Sequence, residues 1–144
     1  MSGPLQGIKV FDMTQQGVGP LGTTILTAMG ANIIKIEPPQ GDGIRQMSPR
    51  YNDLAAVYTH GNLGKKGIYL DLKSEEGKQV AQGLLKEADI YAENMKWGAA
   101  LRLGFGYDDI SKLNPSIVYA NFPGWGHQHY RCGNLGSQCK RYGR

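Results

Sequence analysis

The sequence predicts an α/β protein with a Rossmann-like, doubly wound and mostly parallel sheet. Short apolar segments alternate with amphipathic segments along most of its 144 residues, as expected of repeated strand–helix units. The segment ANIIKIE is apolar almost throughout, which is typical of a strand covered on both faces. The connections between successive segments are mostly short, which favours right-handed crossovers and therefore parallel pairing.

Five strands and three helices follow from this periodicity. The expected strands are, in chain order, residues 7–13, 31–37, 67–72, 89–94 and 116–122. The expected helices have apolar residues at intervals of three and four and cover residues 20–30, 74–88 and 107–115. Residues 38 to about 52 are rich in Pro, Gly and polar side chains and are expected to form a long loop.

Local signals support the helix assignments. Pro20 suits the first turn of the first helix, and Ser74 is a favourable N-cap for the second. In each helix, apolar side chains share one face. These faces comprise Leu21, Ile25 and Met29 in the first helix, Val80, Leu84, Leu85 and Ala88 in the second, and Tyr107, Ile110 and Leu113 in the third.

A glycine pattern follows the first strand. The segment GVGPLG matches G-x-G-x-x-G, and Glu37 lies twenty positions after Gly17. A dinucleotide site needs its first glycine in the tight turn that leaves the strand. Here residues 14–16 intervene, and Pro20 has no N–H to offer a phosphate. NAD(P) binding is therefore disfavoured. A connection without a ligand and a loop for another nucleotide are the alternatives.

The net charge of +4 comes from the last residues of the chain. Residues 127–144 hold four basic side chains and no carboxylate, so residues 1–126, with 12 basic and 12 acidic side chains, are formally neutral. We therefore expect a domain over 1–126 and an atypical basic tail over 127–144 that is non-native to it or disordered. A nucleic-acid-binding arm is the weaker interpretation, and the prediction is no nucleic-acid partner.

Membrane and secretory classes are not indicated. The apolar runs are too short to span a bilayer, and the N-terminal residues lack a basic region followed by an apolar one. The expectation is a cytoplasmic protein.

The tail holds His127, His129, Cys132 and Cys139, whose spacing matches no common structural zinc pattern, so no metal site is predicted.

Five segments occur in a characteristic order. They are GPLQGIKVFDMT, GANIIKIEPPQGD, NLGKKGIYLDLKSEEGK, ADIYAENMKWGAALRLG and LNPSIVYANFPGWG. Together they resemble the family III CoA-transferases, the group named for carnitine dehydratase and bile-acid-inducible protein F, over about residues 4–126. The resemblance implies a Rossmann-like large domain that binds CoA, an interlocked homodimer, and acyl-CoA and a small carboxylate as substrates with no prosthetic group.

The resemblance also implies binding residues. They are Gln15, Gln16, Gly17, Pro38, Arg45, Lys65, Leu70, Lys73, Asn94, Met95, Arg102, Gly124 and Trp125. The loop of residues 15–17, called the glutamine loop below, would lie beside the thioester. A side-chain amide there, such as that of Gln16, can donate a hydrogen bond to a developing oxyanion. The segment after the second strand would wrap the adenine and the 3′-phosphate, with cations nearby. Each binding role has a structural alternative: the glutamines and lysines are simply solvated, and Met95 and Trp125 pack in the core.

The family reaction uses an aspartate nucleophile that forms an anhydride and then a thioester with CoA. The resemblance places that residue beyond the position matching Gly126, so no catalytic residue is assigned, and Asp108 and Asp109 do not match the nucleophile motif. We expect a CoA-transferase of which this chain is a truncated form, with residues 127–144 translated out of frame. An acyl-CoA racemase of the same family and a non-catalytic CoA-binding fragment are the alternatives.

Overall fold

The computed structural model describes residues 3–123. The strands are β1 Lys9–Asp12, β2 Asn32–Glu37, β3 Arg50–Tyr51, β4 Leu54–Ala55, β5 Lys66–Tyr69, β6 Ile90–Glu93 and β7 Val118–Asn121. The helices are α1 Val18–Ala28, α2 Ala56–His60, α3 Glu75–Lys86, α4 Ala99–Leu103 and α5 Tyr107–Leu113. Within residues 3–123, no helix combines the length and apolar character needed to cross a membrane.

The main sheet has the order β5-β2-β1-β6-β7, and each neighbouring pair is parallel. The five strands predicted from the sequence are these five. Counted along the chain, their order is 3-2-1-4-5, which is the arrangement of a Rossmann-like sheet. The predicted fold class is confirmed. The strand order reverses between β1 and β6, so a ligand crevice is expected where the carboxyl ends of these strands separate.

Helices cover both faces of this sheet. Alternate residues of β1 point to opposite sides: Phe11 joins a core with α3 and α5, and Val10 joins a smaller core with the α1 side. In β2, Ile36 and Ile33 divide in the same way. The near-continuous apolar character of β2 follows from this double coverage.

The helix predictions are partly right. Ser74 caps α3, since its Oγ accepts a hydrogen bond from the Gly77 N–H at 3.0 Å. Ala81 and Leu85 are buried in α3, and Ala88 is buried just after the helix ends, whereas Val80 is half exposed, so its assignment to the stripe was wrong. The error at Val80 arose because the small residues Gly77 and Ala81 form much of the true contact face. In α5, Ile110 is buried while Tyr107 is 45% exposed.

The apolar face of α1 points outward. Leu21, Ile25 and Met29 are all substantially exposed, and α1 instead buries Gly19 and Thr23 against the ends of the sheet. Periodicity identified the stripe but could not show which surface it faces. The sheet-side contact uses small and polar residues because a buried polar network, described below, lies beneath the helix.

The loop expected over residues 38–52 has structure of its own. A 3-10 turn covers Gly43–Gln46, and the Asp42 carboxylate accepts the Ile44 N–H at its start. Antiparallel β3 and β4 follow, joined by Asn52 and Asp53, which both have positive φ. An Asn-Asp pair suits such a turn, so the sequence did contain this signal.

Candidate functional site

A cavity of about 210 Å³ lies at the carboxyl edge of the sheet. Its walls come from the segments that follow β1, β2, β5 and β6, together with α4. The lining residues are Met13, Gln15, Ile36, Glu37, Pro38, Gln40, Leu70, Asp71, Leu72, Lys73, Met95 and Leu103. This is the edge at which open parallel sheets bind their ligands.

The cavity brings together side chains from distant parts of the sequence. Five of the predicted binding residues line it, namely Gln15, Pro38, Leu70, Lys73 and Met95. Met95 and Leu70 also pack against the main core, so they form a fixed apolar wall. Gln15 offers an amide and Lys73 a cation. An apolar wall with a few polar groups is the usual composition of a small-molecule site.

Arg45 is paired within the protein and does not line this cavity. Its Nε and Nη2 donate to the two oxygens of Glu37 at 2.7 and 2.8 Å. The Tyr58 hydroxyl donates to the same carboxylate at 2.6 Å. Burial alone would raise the pKa of Glu37, but the hydrogen bonds from Arg45, Tyr58 and the Asp42 N–H lower it to about 2. This placement does not support the expected phosphate contact of Arg45.

The Lys65 ammonium, like the Arg45 guanidinium, is paired within the protein. Its side chain is 1% exposed, and its ammonium donates to Asp12 Oδ2 at 3.0 Å and to Thr23 Oγ1 at 2.7 Å. Three further acceptors surround it, the carbonyl oxygens of Pro20 and Gly61 and the side-chain oxygen of Asn62. Burial lowers the pKa of Lys65, and the Asp12 carboxylate opposes that change. With five acceptors already around it, Lys65 is not placed to bind a phosphate.

The other predicted residues within residues 3–123 do not line the cavity. Asn94 holds the glutamine loop: its Oδ1 accepts from the Gln15 N–H, and its Nδ2 donates to the Gln15 carbonyl, each at 2.8 Å. Gln16 and Gly17 are exposed, and Arg102 is exposed on α4. Gly124 and Trp125, like the predicted tail over 127–144, lie outside the described residues.

Two buried charges that sequence reasoning missed lie under the glutamine loop. Lys35 and Asp42 form an ion pair at 3.2 Å, with side chains 1% and 0% exposed. The Lys35 ammonium also donates to the Thr14 carbonyl at 2.7 Å, and Asp42 accepts the Gln16 N–H. A lysine inside an otherwise apolar strand was the available signal, because such a charge is buried only when it is paired.

The G-x-G-x-x-G segment does not have the geometry of a dinucleotide loop. A Cβ on Gly19 would lie 2.7 Å from the Thr14 Cβ and 3.0 Å from the Asn94 Cγ. The space above the second glycine is therefore filled by protein, where a dinucleotide site would admit a pyrophosphate. Glu37 stands where a dinucleotide site would have its ribose-binding acid, but its carboxylate is already engaged by Arg45 and Tyr58.

Comparison with known proteins agrees with this geometry. The profile of CoA-transferase family III matches residues 5–142. The chain belongs to CoA-transferase family III. It is 42% identical over 125 residues to acetyl-CoA:oxalate CoA-transferase of Acetobacter aceti, covering 86% of this chain and 32% of that protein. It is 39% identical over 127 residues to formyl-CoA:oxalate CoA-transferase of Streptomyces coelicolor, covering 88% and 31%.

A solved structure of the same family supports the fold assignment. The crystal structure of Rv3272 from Mycobacterium tuberculosis matches with a TM-score of 0.80 at 38% identity, over 86% of this chain and 34% of that one. The chain thus spans about a third of the length of the relatives it matches.

Among residues 3–123, no cluster of three or more His, Cys, Asp or Glu side chains could hold a metal ion.

Proposed function

We propose that the cavity at the carboxyl edge of the sheet binds the CoA portion of an acyl-CoA, and that the protein takes part in moving CoA between an acyl-CoA and a small carboxylic acid. The observation that carries this proposal is the convergence of Gln15, Leu70, Lys73 and Met95 on one cavity in a chain of this family. The substrates named for the relatives, an acyl-CoA and oxalate, have this chemistry.

The size and lining of the cavity indicate how CoA would lie. A volume of about 210 Å³ holds only part of a CoA molecule. The apolar wall suits the pantetheine arm, which has no charge, and exposed Lys73 suits a phosphate at the rim. The rest of the ligand would cross the open surface at the strand ends.

The contribution of the described residues is binding and orientation. The Gln15 side chain can donate a hydrogen bond to a thioester carbonyl, an interaction that strengthens as the oxygen gains negative charge. The nucleophilic aspartate implied by the family would come from outside the matching N-terminal region. A homodimer, implied by the same family, and a cytoplasmic location, expected from the sequence, complete the proposal.

Calorimetric titration of the 144-residue chain with CoA tests the binding step, with NAD titrated in parallel. We expect saturable binding of CoA and none of NAD. Lys73→Gln should weaken CoA binding about threefold to tenfold, as for loss of a charge-assisted contact that is partly solvated. Lys86→Gln, an exposed lysine at the end of α3, is the matched control and should bind as the wild type does. No binding of CoA at millimolar levels would remove the proposal.

A further inference from the structure

The backbone from Thr14 to Gln16 is held almost entirely by side chains. The Thr14 N–H donates to Asp12 Oδ1 at 2.9 Å, and the Thr14 carbonyl accepts from Lys35 Nζ at 2.7 Å. The Gln15 N–H and carbonyl both bind the Asn94 amide. The Gln16 N–H donates to Asp42 Oδ1 and Oδ2 at 3.1 and 3.0 Å. Five consecutive polar groups of this loop therefore have side-chain partners.

This loop also adopts a costly conformation. Gln16 has φ of +65°, in the left-handed region that residues with a Cβ avoid for steric reasons. Its side chain is exposed, so packing of that side chain does not offset the cost. The bond from the Gln16 N–H to the Asp42 carboxylate fixes the residue in this conformation. Backbone strain held in place by surrounding groups is characteristic of functional sites.

The Lys35–Asp42 pair connects both sides of Gln15. The Lys35 ammonium binds the carbonyl of Thr14 before it, and the Asp42 carboxylate binds the N–H of Gln16 after it. Burying two charges is expensive, and a buried ion pair is a weak source of stability compared with apolar packing. The arrangement does, however, set the position of one short segment, whose central residue, Gln15, lines the cavity.

We propose that Lys35 and Asp42 are positioning residues for the CoA site, which hold Thr14–Gln16 so that the Gln15 side chain enters the cavity. This inference rests on the proposed function for its CoA-binding part. Neither residue lines the cavity, so both act through the backbone of the loop. Loss of either should lower the stability of the chain, because it leaves a buried charge unpaired, and should also free the loop to adopt several conformations.

The test compares Asp42→Asn with Asn114→Ala in the full 144-residue chain. Asn114 is a matched buried polar residue remote from the loop, with its Nδ2 donating to the carbonyls of Leu85 and Ala88. Three quantities are measured: the free energy of unfolding, the hydrogen-exchange rate of the Gln16 N–H, and the dissociation constant for CoA. Lys35→Gln, which keeps an N–H donor without the charge, is the second variant if Asp42→Asn does not fold.

We expect Asp42→Asn to accelerate exchange at Gln16 at least tenfold and to weaken CoA binding about fivefold or more, which is about 1 kcal/mol. Asn114→Ala should lose stability with both site readouts unchanged. CoA affinity of Asp42→Asn within twofold of the wild type, or an equal loss in Asn114→Ala, would overturn the inference. If the wild type itself does not bind CoA, the proposed function fails, and the exchange rates still decide whether Asp42 holds the loop.

Discussion

Lys65 and Lys66 are neighbours in the sequence with opposite surroundings. The Lys65 side chain is 1% exposed and paired with buried Asp12, whereas Lys66 is exposed on the edge strand β5. Removing one partner of a buried pair leaves an uncompensated charge, at a cost of about 3–5 kcal/mol. We therefore expect Lys65→Met to lose stability on that scale in urea unfolding. Lys66→Met is the control and should change stability by less than about 0.5 kcal/mol. Equal effects would contradict the structural role given to Lys65.

Glu37 makes the stability of the protein sensitive to acid. Its pKa in the folded protein is about 2, below the ordinary value of 4.5. The stabilisation by its ionised form is therefore complete above the ordinary value and is lost as the pH falls through the folded value. A shift of this size corresponds to about 3 kcal/mol at neutral pH. Glu37→Gln should remove this contribution and flatten the decline in unfolding free energy towards about pH 3.

The control for this measurement is Glu87→Gln. Glu87 is 74% exposed and pairs with Lys9 at the surface, where an ion pair contributes about 0–1 kcal/mol. This variant should therefore keep the acid dependence of the wild type. If Glu37→Gln and the wild type decline in parallel, the Glu37–Arg45 pair is not the source of the acid sensitivity.

The two glycines of α3 are expected to respond in opposite ways to substitution by alanine. A Cβ on Gly77 would lie 2.1 Å from the Asp71 carbonyl oxygen, whereas a Cβ on Gly83 meets nothing within 4 Å. Alanine is favoured over glycine inside a helix by about 1 kcal/mol. We expect Gly83→Ala to stabilise the protein by up to that amount. Gly77→Ala should destabilise it, because the clash is with backbone and cannot be relieved by a rotamer change. The measurement is the urea midpoint of each variant compared with that of the wild type. A Gly77→Ala variant more stable than the wild type would contradict the close contact between α3 and the Asp71 carbonyl.

The strands and the helix cap could be predicted from the sequence, whereas the partners of the buried charges could not. The five main strands were predictable because each is a short apolar run bounded by turn residues, and the Ser74 cap was predictable from local chemistry. The partners of Lys65 and Asp42 were not, because they come from positions up to 53 residues apart in the sequence. Family resemblance supplied Gln15, Leu70 and Met95, which converge in the cavity. It also suggested Arg45 and Lys65, whose charges are engaged within the protein.

The outward face of α1 is a continuous apolar surface. Four apolar residues lie along this face and are between 38% and 79% exposed: Val18, Leu21, Ile25 and, at the C-cap of the helix, Met29. Apolar surface this continuous is characteristic of a region that contacts other protein surface. The chain spans about a third of the length of its relatives, so sequence beyond this third is one source of such a surface, and a second copy is another.

This surface predicts concentration-dependent self-association of the 144-residue chain. Light scattering should show an apparent mass that rises with protein concentration, because contact between two such faces removes apolar area from water. The double substitution Leu21→Gln and Ile25→Gln should reduce that rise while leaving the circular-dichroism spectrum and CoA affinity unchanged, since neither side chain lines the cavity. Val80→Gln is the matched control, because Val80 is equally exposed but lies on α3, away from the α1 face. If the double variant associates as strongly as the wild type, this face of α1 does not drive association.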